Sequence, residues 1–129
     1  MVNNGSRRIW FEDLRSFCQQ AYMKAGVPEE EAYIVADLLA RSDLRGVETH
    51  GVTRLPIYIK RLRKGYVRAE ARLTYLKDKG PVAFAEAHGS LGHVVAHRAM
   101  QRAIEKAEEY GIGWVSVKDS GHFGTAGLF

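Results

Sequence analysis

Histidine and arginine stand four residues apart at His50 and Arg54, inside the run Thr49-His50-Gly51-Val52-Thr53-Arg54. A helix starting near His50 would set residue i+4 one turn along the same face, so that imidazole and guanidinium point into one space. Such a pair suits a small α-keto or α-hydroxy acid. The guanidinium would clamp the carboxylate through two parallel N–H bonds while the imidazole handles the proton of the adjacent oxygen. A plainer arrangement fits the same residues, with His50 capping the helix and Arg54 paired with Glu48 on the surface. A second candidate, His122, lies in Ser120-Gly121-His122-Phe123-Gly124, where flanking glycines let backbone approach a ligand closely. A turn whose histidine is only solvated reads the same way. Gly121, Gly124 and Gly127 follow a strand-like run, but their G-x-x-G-x-x-G spacing is not the G-x-G-x-x-G of a dinucleotide-binding turn. His93 and His97 form an i,i+4 pair of the kind that grips zinc. No glutamate follows the first and no third ligand is spaced for it, so both are expected at exposed polar helix positions and no metal site is assigned.

The elements that must position these residues follow from hydrophobic spacing. Phe11, Leu14, Phe17, Cys18, Ala21, Tyr22 and Ala25 recur at steps of three and four, which predicts a helix from about Trp10 to Ala25, stopped by Gly26. Pro28 followed by Glu29, Glu30 and Glu31 restarts a helix with acids at its positive end, and Ala32, Val35, Ala36 and Leu39 carry it to about Leu44. A third helix, with Leu55, Tyr58, Ile59 and Leu62 as its buried stripe, begins between Val52 and Leu55, because Pro56 is tolerated only near a helix start. Beyond Gly65, Leu73–Leu76 and Val82–Ala85 read as two short strands across a Gly80-Pro81 turn. A long helix then runs from the Gly89–Gly92 region to Tyr110. Its expected core face is Val95, Ala99, Ala103 and Ala107, widened by Met100 and Ile104, with Arg98, Arg102, Glu105, Lys106, Glu108 and Glu109 outside. Trp114–Val117 completes the sheet. The fold class expected is α+β: three N-terminal helices over residues 1–65, then a small sheet packed on one long helix over residues 66–129.

With 129 residues, 46% hydrophobic and 26% charged, the chain has the composition of one globular domain. A lone Cys18 cannot form an internal disulfide, and no apolar stretch follows Arg7-Arg8 or reaches membrane-spanning length, so the expectation is a cytoplasmic protein without a membrane partner. Nineteen Lys and Arg against fifteen Asp and Glu give a net charge of +4. Much of the excess lies at Lys60, Arg61, Arg63, Lys64, Arg68 and Arg72, which reads as a solvated helix end complementing the helix dipole. A helix-turn-helix reading fails because the would-be recognition helix spends Leu55, Tyr58, Ile59 and Leu62 on one apolar face, and no nucleic-acid partner is expected.

Two separated stretches together resemble the N-terminal part of the malate/L-lactate dehydrogenase family, which includes ureidoglycolate, sulfolactate and diketogulonate oxidoreductases. They are SDLRGVETHGVTRLPIYIKRLRKG from Ser42 to Gly65 and AMQRAIEKAEEYGIGWVSVKDSGHFGTAG from Ala99 to Gly127. The resemblance covers almost the whole chain. It implies a non-Rossmann NAD(P)-dependent oxidoreductase, a homodimer when full length, that moves a hydride between NAD or NADP and a small 2-hydroxy or 2-keto acid. It assigns His50, in Thr49-His50-Gly51, as proton donor to the substrate carbonyl, Arg54 as the carboxylate clamp and His122 as a second acid–base candidate, and leaves open which histidine does the chemistry. Residues 66–129 would then begin a cofactor-binding domain, with the remaining site groups and most cofactor contacts lying beyond the position of Phe129. The isolated chain is therefore expected to show no turnover. A catalytically inactive, truncated relative acting as a dimerisation or binding module is the alternative.

Overall fold

The computed structural model describes residues 8–129; the stretch 1–7, including Arg7, lies outside the described residues. Helices α1 (Phe11–Lys24) and α2 (Glu29–Leu44) are joined by the Gly26-Val27-Pro28 connection, where Gly26 takes φ +91° and Pro28 precedes the first turn. Helix α3 (Leu55–Arg63) follows two 3₁₀ turns, Glu48–His50 and Val52–Arg54. Its last turn carries Lys60, Arg61 and Arg63, exposed to solvent as the dipole argument expects. Strands β1 (Thr74–Lys79) and β2 (Val82–Ser90) pair antiparallel across the Gly80-Pro81 turn. Helix α4 (Gly92–Tyr110) then crosses to β3 (Trp114–Ser120), which lies parallel to β2 in a sheet of order β1-β2-β3. The α+β architecture is the one expected. The first two strands run longer than their apolar runs, because backbone pairing continues through Lys77–Lys79 and Glu86–Ser90 where side-chain character no longer signals it.

The core is built from Cys18 and Tyr22 of α1, Val35, Ala36 and Leu39 of α2, and Leu55, Tyr58 and Leu62 of α3, together with Leu91 and Val94 at the head of α4. The N-terminal helices and the helix that crosses the sheet therefore share one apolar interior. Glu31 is buried where the two parts meet. Its carboxylate accepts from the Ala71 backbone N–H at 2.8 Å and from the Arg98 guanidinium at 2.8 Å, which satisfies a charge that burial alone would penalise.

Three pattern-based placements are corrected. Phe17 is exposed, because the α1 face turned to α2 and α3 centres on Cys18 and Tyr22. Lys106, expected outside, is buried: its stem runs toward the β1–β2 turn and its ammonium pairs with Asp78 and donates to the Gly80 carbonyl at 2.8 Å. Met100 and Ile104, expected to widen the core, are exposed instead. Val95, Ala99, Met100, Ala103, Trp114 and Phe123 line an open apolar groove between α4 and β3 rather than a closed interior.

Candidate active site

Two irregular segments carry the site, and the C-terminal end of α2 holds both. The first spans Val47 to Arg54. Its Val47 N–H donates to the Ser42 carbonyl at 2.8 Å, and the Asp43 carboxylate accepts from the Val52 N–H at 2.9 Å. Gly51 passes so close beneath Asp43 that a Cβ there would stand 1.8 Å from Oδ1. The second spans Gly121 to Phe129. The Gly121 N–H donates to the Ser90 carbonyl at 3.1 Å, Thr125 Oγ1 meets Ser42 Oγ at 2.8 Å, and Arg45 donates to the Gly127 carbonyl at 2.8 Å.

The helix expected to carry His50 and Arg54 on one face does not form. With Val52 N–H taken by Asp43 and Pro56 lacking an N–H to return to the Val52 carbonyl, the segment breaks at Gly51 into two 3₁₀ turns. The plainer surface arrangement is also absent. No side chain caps these turns, and Arg54 Nε donates to the Thr49 carbonyl at 2.6 Å instead of pairing with Glu48. That bond folds Arg54 back over the turn bearing His50, and its two terminal nitrogens make no hydrogen bond among the described residues.

The structure brings His50 and His122 together. Their rings stack with centroids 5.4 Å apart at an interplanar angle of 29°. His122 Nδ1 lies 3.2 Å from the Tyr58 hydroxyl and 3.0 Å from the Gly124 N–H. Burial, followed by the charges of His50, Arg54 and Arg61, lowers the pKa of His122 below the ordinary histidine value. His50 Nδ1 lies 3.0 Å from the Thr49 hydroxyl.

His93 was expected on an exposed face and is instead buried beneath this pair, edge-on to Tyr58 with ring centroids 5.2 Å apart. The available signal was its place between Gly92 and Val94-Val95, in an apolar run at the start of α4. Neither ring nitrogen has a hydrogen-bond partner, and desolvation, reinforced by His122 and His50, lowers its pKa from 6.5 to about 4. His97 is half-buried. Among the described residues no group of three or more His, Cys, Asp or Glu is placed to hold a metal ion.

The state of His93 makes stability pH-dependent. The unfolded chain takes up a proton below about pH 6.5 while the folded chain keeps this ring neutral to about pH 4, so acid favours unfolding across that window. Between pH 7 and pH 5 the chain is expected to lose about 2 kcal/mol through this residue. Urea midpoints at the two pH values check it: His93→Leu should flatten most of the difference, and a wild-type midpoint that does not fall at pH 5 would overturn it.

Tyr58, Gly124 and Asp43 belong to the site and were not singled out by sequence reasoning, which had placed Tyr58 in a core stripe and set Gly124 aside with the failed fingerprint. Two of the three glycines in the 121–127 run have their Cα faces covered. Gly121 packs on the Ser90 carbonyl and Gly124 on His93 Nε2, whereas Gly127 has its nearest neighbour at 4.0 Å.

The α+β chain gathers three histidines and an arginine beside one helix end. The chain belongs to the malate/L-lactate dehydrogenase family, whose model matches residues 9–129. It is 41% identical over 128 residues to malate dehydrogenase of Pyrococcus abyssi, covering 99% of this chain and 35% of that protein. It is 46% identical over 122 residues to L-sulfolactate dehydrogenase of Methanothermobacter thermautotrophicus, covering 95% of this chain and 36% of that one. The solved structure of malate dehydrogenase from Pyrococcus horikoshii superposes with a TM-score of 0.95 at 40% identity, covering 99% of this chain and 37% of that chain. The chain thus spans a little over a third of the length of these relatives. No helix among the described residues is long and apolar enough to cross a membrane.

Proposed function

We propose that this chain forms the acid-binding and proton-transfer part of an oxidoreductase that moves a hydride between NAD or NADP and a small 2-hydroxy acid or its 2-keto partner, with residues 66–129 beginning the cofactor-binding domain. The observation that carries the reading is the stack of His50 on His122 beside an arginine whose terminal nitrogens are not engaged within the described residues. Arg54, already oriented through Nε, offers those two N–H groups to the substrate carboxylate in the parallel geometry that a carboxylate matches. His50 gives a proton to the keto oxygen in reduction and takes it from the hydroxyl in oxidation. The nicotinamide, when bound, supplies the hydride. No binding role for the dinucleotide is assigned to Gly121 or Gly124, whose Cα faces are packed against Ser90 and His93. The names of two relatives, malate dehydrogenase and L-sulfolactate dehydrogenase, support malate and sulfolactate as candidates within the substrate class, and a cytoplasmic homodimer of the full-length enzyme is part of the same reading.

Binding of oxaloacetate to the purified chain, followed by calorimetry, tests the proposal. Saturable binding that Arg54→Ala weakens by about 10- to 100-fold, the loss of a charge-assisted pair, is expected. Equal binding by the two would overturn the clamp. NADH or NADPH oxidation by the isolated chain is expected to match that of its His50→Ala variant. The inactive-module alternative rests on the open groove lined by Met100, Trp114 and Phe123, and it predicts no keto-acid binding at all.

A further inference from the structure

His50 and His122 face each other as equals in sequence, but the groups on their Nδ1 atoms are not equal. A backbone N–H can only donate. The Gly124 N–H stands 3.0 Å from His122 Nδ1, so that nitrogen must be the bare acceptor. The Tyr58 hydroxyl, 3.2 Å from the same nitrogen, is then obliged to donate as well. A proton placed on Nδ1 would break the Gly124 bond, face the amide hydrogen head-on and force the Tyr58 hydroxyl to turn from donor to acceptor. The amide itself has no freedom to turn away. Gly124 sits at φ +85° with its Cα face against the buried His93 ring, so close that a Cβ would stand 2.7 Å from His93 Nε2. At His50 the partner is the Thr49 hydroxyl at 3.0 Å, which rotates to donate or to accept. That ring therefore accommodates either neutral tautomer and the imidazolium.

We propose that the Gly124 amide and the Tyr58 hydroxyl lock His122 as the neutral imidazole protonated on Nε2, so that His122 offers the substrate oxygen a hydrogen bond while His50 alone moves the proton. Tyr58 and Gly124 are positioning residues, acting through His122. The groups around the ring favour its neutral form: His50 stacks on one face and Arg54 and Arg61 lie nearby, all disfavouring a positive charge at His122, while the buried His93 behind Tyr58 stays neutral and adds none. The division of labour rests on the 2-keto acid reading, whereas the tautomer rests only on the fold.

Long-range ¹H–¹⁵N correlation spectra of the ¹⁵N-labelled 129-residue chain, recorded without substrate or cofactor, read each ring nitrogen directly. At pH 7 His122 is expected to show a bare Nδ1 and a protonated Nε2. In Tyr58→Phe, which keeps the ring and the fold, one of the two donors to Nδ1 is gone and the His122 midpoint should rise by about half to one pH unit. A proton on His122 Nδ1 or a mixture of tautomers would overturn the assignment while leaving the keto-acid reading untouched. An unmoved midpoint in Tyr58→Phe would remove Tyr58 from it. Conversely, failure of oxaloacetate to bind would overturn the functional reading and leave the observed tautomer standing.

Discussion

Replacing His50 by alanine is expected to lower kcat for malate oxidation by about 10²- to 10⁴-fold in a chimaera in which this chain replaces the matching part of the Pyrococcus horikoshii malate dehydrogenase, the range set by losing one positioned general acid–base group. The fold supplies the reason that the loss falls on kcat. His50 is carried on a turn whose backbone is fixed independently of its ring, through the His50 N–H to the Val47 carbonyl at 3.0 Å and Arg54 Nε to the Thr49 carbonyl at 2.6 Å. Removing the imidazole leaves Arg54 and its clamp in place, so KM should move little. Arg54→Ala should do the opposite and raise KM first, because it removes binding common to the ground and transition states. If His50→Ala retained kcat within a factor of about three of the parent chimaera, far below what an acid–base group contributes, the assignment of proton transfer to His50 would fail.

Gly92→Ala is expected to be the most damaging small substitution for the site's geometry. Gly92 opens α4, and a Cβ there would meet the Gly121 carbonyl oxygen at 2.1 Å and the His122 carbonyl carbon and oxygen at 2.5 Å. These are backbone atoms, and the Gly121 N–H is already tied to the Ser90 carbonyl at 3.1 Å, so the neighbour cannot yield by rotating a side chain. Overpacking of this kind costs about 3 kcal/mol or more, which for a domain of this size lowers the melting temperature on the order of 10 °C. The displaced segment carries His122, and the stack on His50 should loosen with it. Gly127→Ala, where a Cβ would find its nearest neighbour at 4.0 Å, is the matched control. Calorimetric melting of the two variants decides the matter, since a Gly92→Ala melting point equal to that of Gly127→Ala would show that α4 and the His122 segment are not in the contact described.

Periodicity along the chain was enough to place the helices and the sheet, because burial of one face imposes a repeat that apolar residues must follow. It misjudged residues whose surroundings are made by other elements. Lys106 repeats as a surface residue and is buried by the Asp78 and Gly80 turn, some 26 to 28 positions away. Met100 and Ile104 repeat as core residues and are exposed, Met100 on the rim of an open groove.

The sequence by itself determined the α+β order of elements and, through the runs around His50 and His122, the resemblance that names the family. Local spacing and residue type carry that information, and no distant contact is needed to read it. Only the tertiary structure decided which groups each candidate site residue meets. The 64 positions between Tyr58 and His122 are closed by the return of the chain from β3 to the end of α2, which sets a phenol and a backbone amide on one imidazole nitrogen. The same closure buries His93 and stacks His122 on His50. A hydrogen bond's direction and a histidine's tautomer depend on which donors converge in space, and that convergence is a property of packing.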